Sequence, residues 1–454
     1  MTSTRKISAG RQVNFVVILA FLVANFVALR RPGFALALVV SMFTVKQLVQ
    51  AGNDSLGTAA GSFAINAMVL LTAAASIALR VTRSGPDPVA LFNIPWLATI
   101  ALFTWSILTC LWSPNSDAIS AVTVGAPYFF LGVIVAPFLI RDWADAREFQ
   151  AAMLWIGIPT ALLILISPDF TMKYGRLGLD IGGTRSNPLA LGEFGGLIVL
   201  AAVSLRKPGK WLLVARFAAL LLGAALAIRS GSRGQFLYAV VIAMACYPLA
   251  APISNPRALL ATVVGIFVIA FAASQLLDLL LDDPFEAKRF SIEEMAYGKS
   301  SASGRVANVL ILYREWVSNP TALFTGLGYG AFSYFSESAG EPYSHVLFAD
   351  AVFELGLPGA VFMGVFVWTS TSAAVRLLRS SKDEPLQRTI TALLVSWYAY
   401  EILLVNKQGA LWGVASIFTA GAIMARLAAR EHSMMPVVPP ADDLASSALE
   451  FHRH

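Results

Sequence analysis

KWLLVARFAALLLGAALAIRSGSRGQFLYAVVIAMACYPLA, residues 210–250, carries two apolar runs, 211–228 and 234–250, on either side of a short polar turn. Each run approaches the ~20 residues that a helix rising 1.5 Å per residue needs to cross the hydrocarbon of a bilayer. With so few residues between them, the runs read as two adjacent membrane helices joined by a tight turn. Comparable runs lie at 13–29, 33–50, 60–79, 93–112, 119–139, 149–167, 187–204, 258–281, 344–370, 388–405 and 410–427. The expected fold is therefore all-α and polytopic, with about 12 transmembrane helices (12 or 13), the first hairpin being the least regular.

Composition agrees with this reading. Hydrophobic residues are 57% and charged residues 13% of 454, and the mean hydropathy is +0.69. A soluble core with a polar shell cannot be built from such a chain. The net charge of +6 requires no nucleic acid, because basic loops facing anionic headgroups account for it. One transmembrane domain is expected over residues 1–430. A large loop at 282–343 lies within it, and a disordered cytoplasmic tail follows at 431–454, rich in Pro, Ala, Ser and Asp. The first apolar run lacks a small-residue cleavage site and reads as a retained helix. Cys110 and Cys246 fall inside predicted helices, as packing residues. No internal repeat suggests the matching halves of a transporter.

Orientation follows from the short loops that carry Lys and Arg. Arg80 and Arg83, Arg141 and Arg147, Arg206, Lys207 and Lys210, and Arg376, Arg379, Lys382 and Arg388 alternate in parity and predict the cytoplasmic side. Segments 113–118, 168–186, 229–233 and 282–343, with the turn at Asn406 and Lys407, then face outward. The N-terminus conflicts: Arg5, Lys6 and Arg11 favour the cytoplasm, whereas parity counted from the C-terminus puts Arg30 and Arg31 there.

Four outward constellations carry chemistry. In Gly182-Gly183-Thr184-Arg185-Ser186-Asn187-Pro188 a glycine-rich loop meets a helix start, where Ser or Asn caps and Pro sits just inside. Such an N-terminus attracts anions; the plainer alternative is a well-capped helix. In Ser230-Gly231-Ser232-Arg233-Gly234, with Arg229 just before it, a small turn leaves an arginine fork free to grip phosphate, the alternative being headgroup snorkelling.

The third constellation lies in the large loop. From Ser303 to Asn319, apolar Val306, Val309, Leu310, Tyr313, Trp316 and Val317 recur at helical spacing, with Arg305, Asn308, Glu315 and Asn319 near the opposite face. This predicts a helix lying on the membrane surface. Pro320 ends it, and Gly326, Gly328 and Gly330 form a flexible turn; no strand precedes them, so they are no nucleotide fingerprint. Arg305, at the helix start, is placed to meet a diphosphate or simply the lipid surface.

The fourth is Pro342-Tyr343-Ser344-His345, followed by a helix with Asp350 and Glu354-Leu355-Gly356. His345 is the only histidine outside the last two dozen residues, and imidazole transfers protons near neutral pH. Glu354, nine positions on, would lie half a turn out of phase with it on one helix. Ionisable groups within membrane spans, here Lys46, Glu193, Asp350 and Glu401, are functional candidates by default.

The Ser-Gly-Ser-Arg-Gly turn, the late loop opening with Gly304-Arg305, the Trp316–Pro320 and Gly326–Gly330 segments, His345 and Glu354-Leu355-Gly356 together resemble the O-antigen ligase and polysaccharide polymerase superfamily, over residues 90–428. The resemblance implies a metal-independent, cofactor-free membrane glycosyltransferase of the bacterial inner membrane with a periplasmic active site. Its donor would be glycan on undecaprenyl diphosphate. The acceptor would be the lipid A core for a ligase, or another lipid-linked repeat for a polymerase, with a possible chain-length regulator as partner. The family's phosphate-binding arginines map onto Arg233 and Arg305, and its histidine onto His345. Arg229, Arg185, Asn187, Tyr343, Glu354 and Asn308 are the further substrate-binding candidates. Val346 stands where the family often has Asn after the histidine, and Asn187 matches the family's Asn-Pro helix start only loosely.

Two guanidinium groups can neutralise a departing diphosphate without a metal. No Asp-x-Asp pair stands in an outward loop; Asp282 and Asp283 are adjacent. A lipid-linked glycan flippase is the alternative of another class, and a cell-division peptidoglycan polymerase would need a loop carboxylate that is not singled out.

Overall fold

In the computed structural model, residues 2–51, 53–85, 93–181, 184–205, 210–250, 260, 264, 265, 302–336 and 343–434 are described. The expected span at 258–281, most of the loop up to residue 301, Gly182 and Gly183, and the tail from 435 lie outside them.

The first part of the chain forms α1 (Thr2–Arg30), α2 (Pro32–Val40), α3 (Met42–Gln50), α4 (Asp54–Gly57), α5 (Ala59–Ser84), α6 (Ile94–Thr109), α7 (Ala118–Phe129) and α8 (Trp143–Ile166). Strands β1 (Phe170–Lys173), β2 (Arg176–Ile181) and β3 (Thr184–Arg185) follow, then α9 (Pro188–Ser204), α10 (Lys210–Arg229) and α11 (Arg233–Ala250). The late segment holds α12 (Ala302–Ser318), α13 (Ala322–Thr325), α14 (Ala331–Phe335), α15 (Leu347–Phe353), α16 (Gly356–Ser380), α17 (Pro385–Gln408) and α18 (Ser416–Met434).

Among the described residues six helical stretches are long and apolar enough to cross a membrane: α5, Ala118–Leu139, α8, α10, α16 and α17 up to Lys407. The pair α2 and α3 passes the same test together but is bent by 70°. Four shorter apolar helices, at Phe15–Arg30, Ile94–Thr109, Pro188–Ser204 and Gly234–Ala250, accompany them. Their outer surfaces keep large apolar side chains exposed, such as Phe15, Leu71, Trp155, Trp211 and Trp368. Such exposure suits lipid as the surrounding solvent.

Local chemistry explains the helix starts. Asp142 and Asp145 form a reciprocal capping box on α8, Asn187 caps α9 ahead of Pro188, and Asn93 caps α6; each satisfies amides that have no helical partner. Small residues let helices approach. A Cβ on Gly195 would stand 2.5 Å from the Gly223 carbonyl oxygen and 2.8 Å from the Ala227 nitrogen, so α9 and α10 meet nearly backbone to backbone.

One end of the bundle gathers basic clamps. Arg80 pairs with Asp145 at 3.0 Å, Arg31 with Glu148 at 3.5 Å, Arg430 donates to the Arg141 carbonyl at 2.8 Å, and Arg388 donates to the Leu249 carbonyl at 2.7 Å. Arg30 and Arg31 share this end, since α1 stops beside the Arg80–Asp145 pair, and the bent α2–α3 pair leads from it to the other end, where Gln47 donates to the Asn187 carbonyl.

At that other end, segment 168–186 is folded where only a loop is expected. Strands β1 and β2 pair antiparallel, Phe170 with Leu179 through Lys173 with Arg176, and β3 adds Arg185 opposite Asp180. The two turn residues, Tyr174 and Gly175, both have positive φ, 54° and 67°, the backbone that a two-residue hairpin turn requires.

Candidate functional site

The hairpin rests on the Ser230–Ser232 turn. Gly231 has φ +67°, and a Cβ there would strike the Gly175 carbonyl and the Arg176 side chain, so glycine is needed for conformation and for closeness. Ser230 Oγ donates to the Ala227 carbonyl at 2.7 Å. The Gln235 and Phe236 amides donate to the Ser232 carbonyl, which makes Ser232 the start of α11, with Arg233 its first residue. Half-buried Arg229 ends α10 on the near side of the turn. From 175 positions away, Lys407 donates its ammonium to Ser232 Oγ at 2.7 Å. Arg176, Arg229 and Lys407 are thus collected at one turn from three elements, beside the helix N-terminus that Arg233 opens and whose dipole also favours an anion. Sequence reading names Lys407 only as a loop marker; its signal is a lysine on the side that positive-inside counting leaves poor in charge.

His345 is one of two non-glycine residues with positive φ among those described, at +67°. For a side chain with a Cβ this costs about 1–2 kcal/mol, and such strain persists only where neighbours fix it. Here they do. Ser344 is fully buried; its Oγ donates to Asp350 Oδ1 and accepts from the Val346 amide at 3.0 Å. Asn308 Nδ2 donates to the Ser344 carbonyl at 3.4 Å, and the Tyr343 ring lies edge-on to the imidazole at 4.4 Å. Helix α12 therefore exists, but its faces divide otherwise than expected. Val306, Leu310, Tyr313 and Val317 form the exposed stripe, while Leu312 is buried with Trp316 packed beside it. Arg305 and Asn308 are half-buried on the protein side, one helical turn apart. The structure thus brings Asn308, Tyr343 and His345 together, with Arg305 on the same face of the helix.

Gly326, Gly328 and Gly330 do take positive φ, yet the segment is clamped, not flexible. Glu354 sends one carboxylate oxygen to the Gly330 amide and the other to the Phe332 amide, each at 2.9 Å. Ser113 Oγ donates to the Tyr329 carbonyl at 2.7 Å, and Asn115 donates to the Gly330 carbonyl at 3.2 Å. Trp105 donates to the Leu355 carbonyl at 2.7 Å. Glu354 is 3% exposed, so its place is in scaffolding that carries α15 and the His345 segment. Helix α15 starts at Leu347, so His345 and Glu354 do not share one continuous helix.

Arg185 spans the hairpin: it pairs with Asp180 at 3.2 Å and donates to the Thr171 and Arg176 carbonyls, both at 2.6 Å. The Lys173 ammonium hydrogen-bonded to Asp180 holds that carboxyl below its usual range, with Arg185 and Thr171 adding to the effect and slight burial opposing it. Arg185 and Asn187 line a cavity of about 480 Å³ shared with Lys46, Gln47 and Gln50. The predicted residues therefore form three groups at one end of the bundle: the turn, the histidine segment and this cavity. Leu411–Gly413 links the last two, since it packs on α15 and Gly413 lines the cavity. Among the described residues no group of three or more His, Cys, Asp or Glu could hold a metal ion.

No protein-family model matches the chain, and no curated protein matches it.

Proposed function

We propose that the protein transfers a glycan from undecaprenyl diphosphate to an acceptor hydroxyl on the periplasmic face of a bacterial inner membrane, as an O-antigen ligase whose acceptor is the lipid A core. The observation that carries the reading is His345, held at positive φ by Ser344, Asp350, Asn308 and Tyr343 against the helix that bears Arg305. The cation-rich turn with Arg233 supplies the second support.

The acceptor oxygen attacks the anomeric carbon, and the bond from that carbon to the phosphate oxygen breaks with inversion. Undecaprenyl diphosphate leaves with the electron pair, its charge neutralised by the guanidinium groups of Arg233 and Arg305. His345 accepts the hydroxyl proton or orients the hydroxyl. No metal is required in this scheme. A polymerase shares every step and differs only in taking a lipid-linked repeat as acceptor.

In liposomes loaded with an undecaprenyl-diphosphate oligosaccharide and rough lipopolysaccharide, wild-type protein should release undecaprenyl diphosphate and elongate the lipopolysaccharide, with EDTA present. Arg233→Ala and Arg305→Ala should each lower the rate at least ~100-fold, as expected for losing one transition-state contact. Retained activity in both variants, or relocation of intact donor lipid without its consumption, would overturn the reading.

A further inference from the structure

The broken span α2–α3 bends by 70° about Ser41, whose hydroxyl donates back to the Leu38 carbonyl at 3.2 Å. Broken helices inside a bilayer are tolerated where they line a cavity, and they mark binding sites. Here the second half, α3, presents Lys46, Gln47 and Gln50 to the 480 Å³ cavity, within the size range of small-molecule sites. The continuation of α7 is a π-helical turn, Phe130–Val135, a distortion that clusters at functional positions; its Leu131 and Gly132 line a smaller adjoining chamber and not the 480 Å³ cavity itself.

Lys46 is the centre of the cavity chemistry. Its ammonium donates to Tyr128 Oη at 3.2 Å and lies over the Phe43 and Tyr128 rings at 5.5 and 5.6 Å. Among the described residues its ammonium has no salt bridge to a carboxylate. An ammonium has three protons to donate, so the position holds a cation with hydrogen-bonding capacity for an anion. Around it stand amide and hydroxyl groups from Gln50, Ser62 and Asn187. Glu193 lines both this cavity and a chamber of about 70 Å³ beneath it, which Glu401 also lines.

We propose that this cavity is a saccharide subsite, separate from the arginine turn, that takes an acid-bearing sugar of the acceptor: Lys46 binds the acidic group, the amides and hydroxyls of Gln50, Ser62 and Asn187 bind sugar hydroxyls, and Glu193 accepts from hydroxyls reaching inward. An anion satisfies the ammonium, neutral polar groups match a polyol, and carboxylates accept from hydroxyls. A lipid headgroup with acyl chains fits less well, because the chains would have to lie against Lys46, Gln50, Ser62, Arg185 and Asn187. The assignment to an acceptor rests on the glycan-transfer reading.

The test is binding of trigalacturonate, with maltotriose as the neutral control, to purified protein in phosphatidylcholine nanodiscs, followed by calorimetry. Trigalacturonate should bind saturably, at least tenfold more tightly than maltotriose. Lys46→Gln should weaken it at least tenfold, and Arg233→Ala should leave it unchanged. Ser62→Trp, which obstructs the cavity but keeps the lysine, should weaken it equally and carries the test if Lys46→Gln fails to fold. Equal affinity for both sugars, undiminished binding in both variants, or loss of binding whenever phosphatidylglycerol replaces phosphatidylcholine would overturn the proposal. Sugar binding without any undecaprenyl diphosphate release defeats the transfer reading alone, whereas release that depends on Arg233, without trigalacturonate binding, defeats this subsite alone.

Discussion

At the scale of single residues, His345 shows how strain and function separate. The strain at φ +67° arises from a Cβ, so His345→Gly and His345→Ala both remove the imidazole while only glycine removes the clash. Relief of about 1–2 kcal/mol is offset by about 0.4–1 kcal/mol of added freedom in the unfolded chain. The glycine variant should therefore unfold at a higher temperature than the alanine variant, by up to roughly 1.6 kcal/mol of stability, with both inactive in transfer. Equal or reversed unfolding temperatures in detergent would show that the backbone there is unstrained. In the sequence His345 is legible as a candidate because it is the lone histidine ahead of the tail. Its anchoring to Asn308 and Asp350 is not legible, because hydrogen bonds across 36 positions leave no periodic trace.

At the scale of elements, two contacts decide how helices and hairpin sit. Gly195 and Gly223 let α9 and α10 touch; Gly195→Leu overpacks that seam and should destabilise the fold by about 1–3 kcal/mol or more, seen as a lowered unfolding temperature. The hairpin depends on Asp180 between Lys173, at 2.7 Å, and Arg185, at 3.2 Å. Because the Asp180 pKa is lowered in the fold, its contribution is present above the unfolded carboxylate pKa and is lost as pH falls through the lower folded value. Hydrogen exchange of hairpin amides, corrected for intrinsic rate, should thus accelerate in acid for wild type. In Asp180→Asn it should already be fast at pH 7 and change little on acidification. A reader of the sequence sees Phe170-Thr-Met-Lys-Tyr-Gly-Arg-Leu-Gly-Leu-Asp-Ile181 as loop because it is short and lies between membrane helices. The turn chemistry at Tyr174-Gly175 is the signal that reading passes over.

At the scale of the whole molecule, basic clamps occupy one end, and the hairpin, the Ser230–Ser232 turn, the histidine segment and the Lys46 cavity occupy the other. By positive-inside placement the second group is expected to face outward, and labelling tests it. Single cysteines at Tyr174, 80% exposed, and at Arg83, in a background lacking Cys110 and Cys246, should react with an impermeant maleimide on intact spheroplasts at 174 and only after lysis at 83. The opposite pattern would invert the proposed face.

The sequence by itself determined that the chain is helical and suited to lipid, and where capped helices such as α6 and α9 start, because partition into hydrocarbon and capping depend on residues within about a turn of one another. Only the tertiary structure decided which charged groups are consumed as clamps, as Arg185 and Glu354 are, and which gather at a site, as Lys407 does at Ser232 from 175 positions away. The 70° bend at Ser41 belongs to the same class. Side-chain partners and helix breaks are set by packing between segments distant in sequence, and no local pattern encodes them.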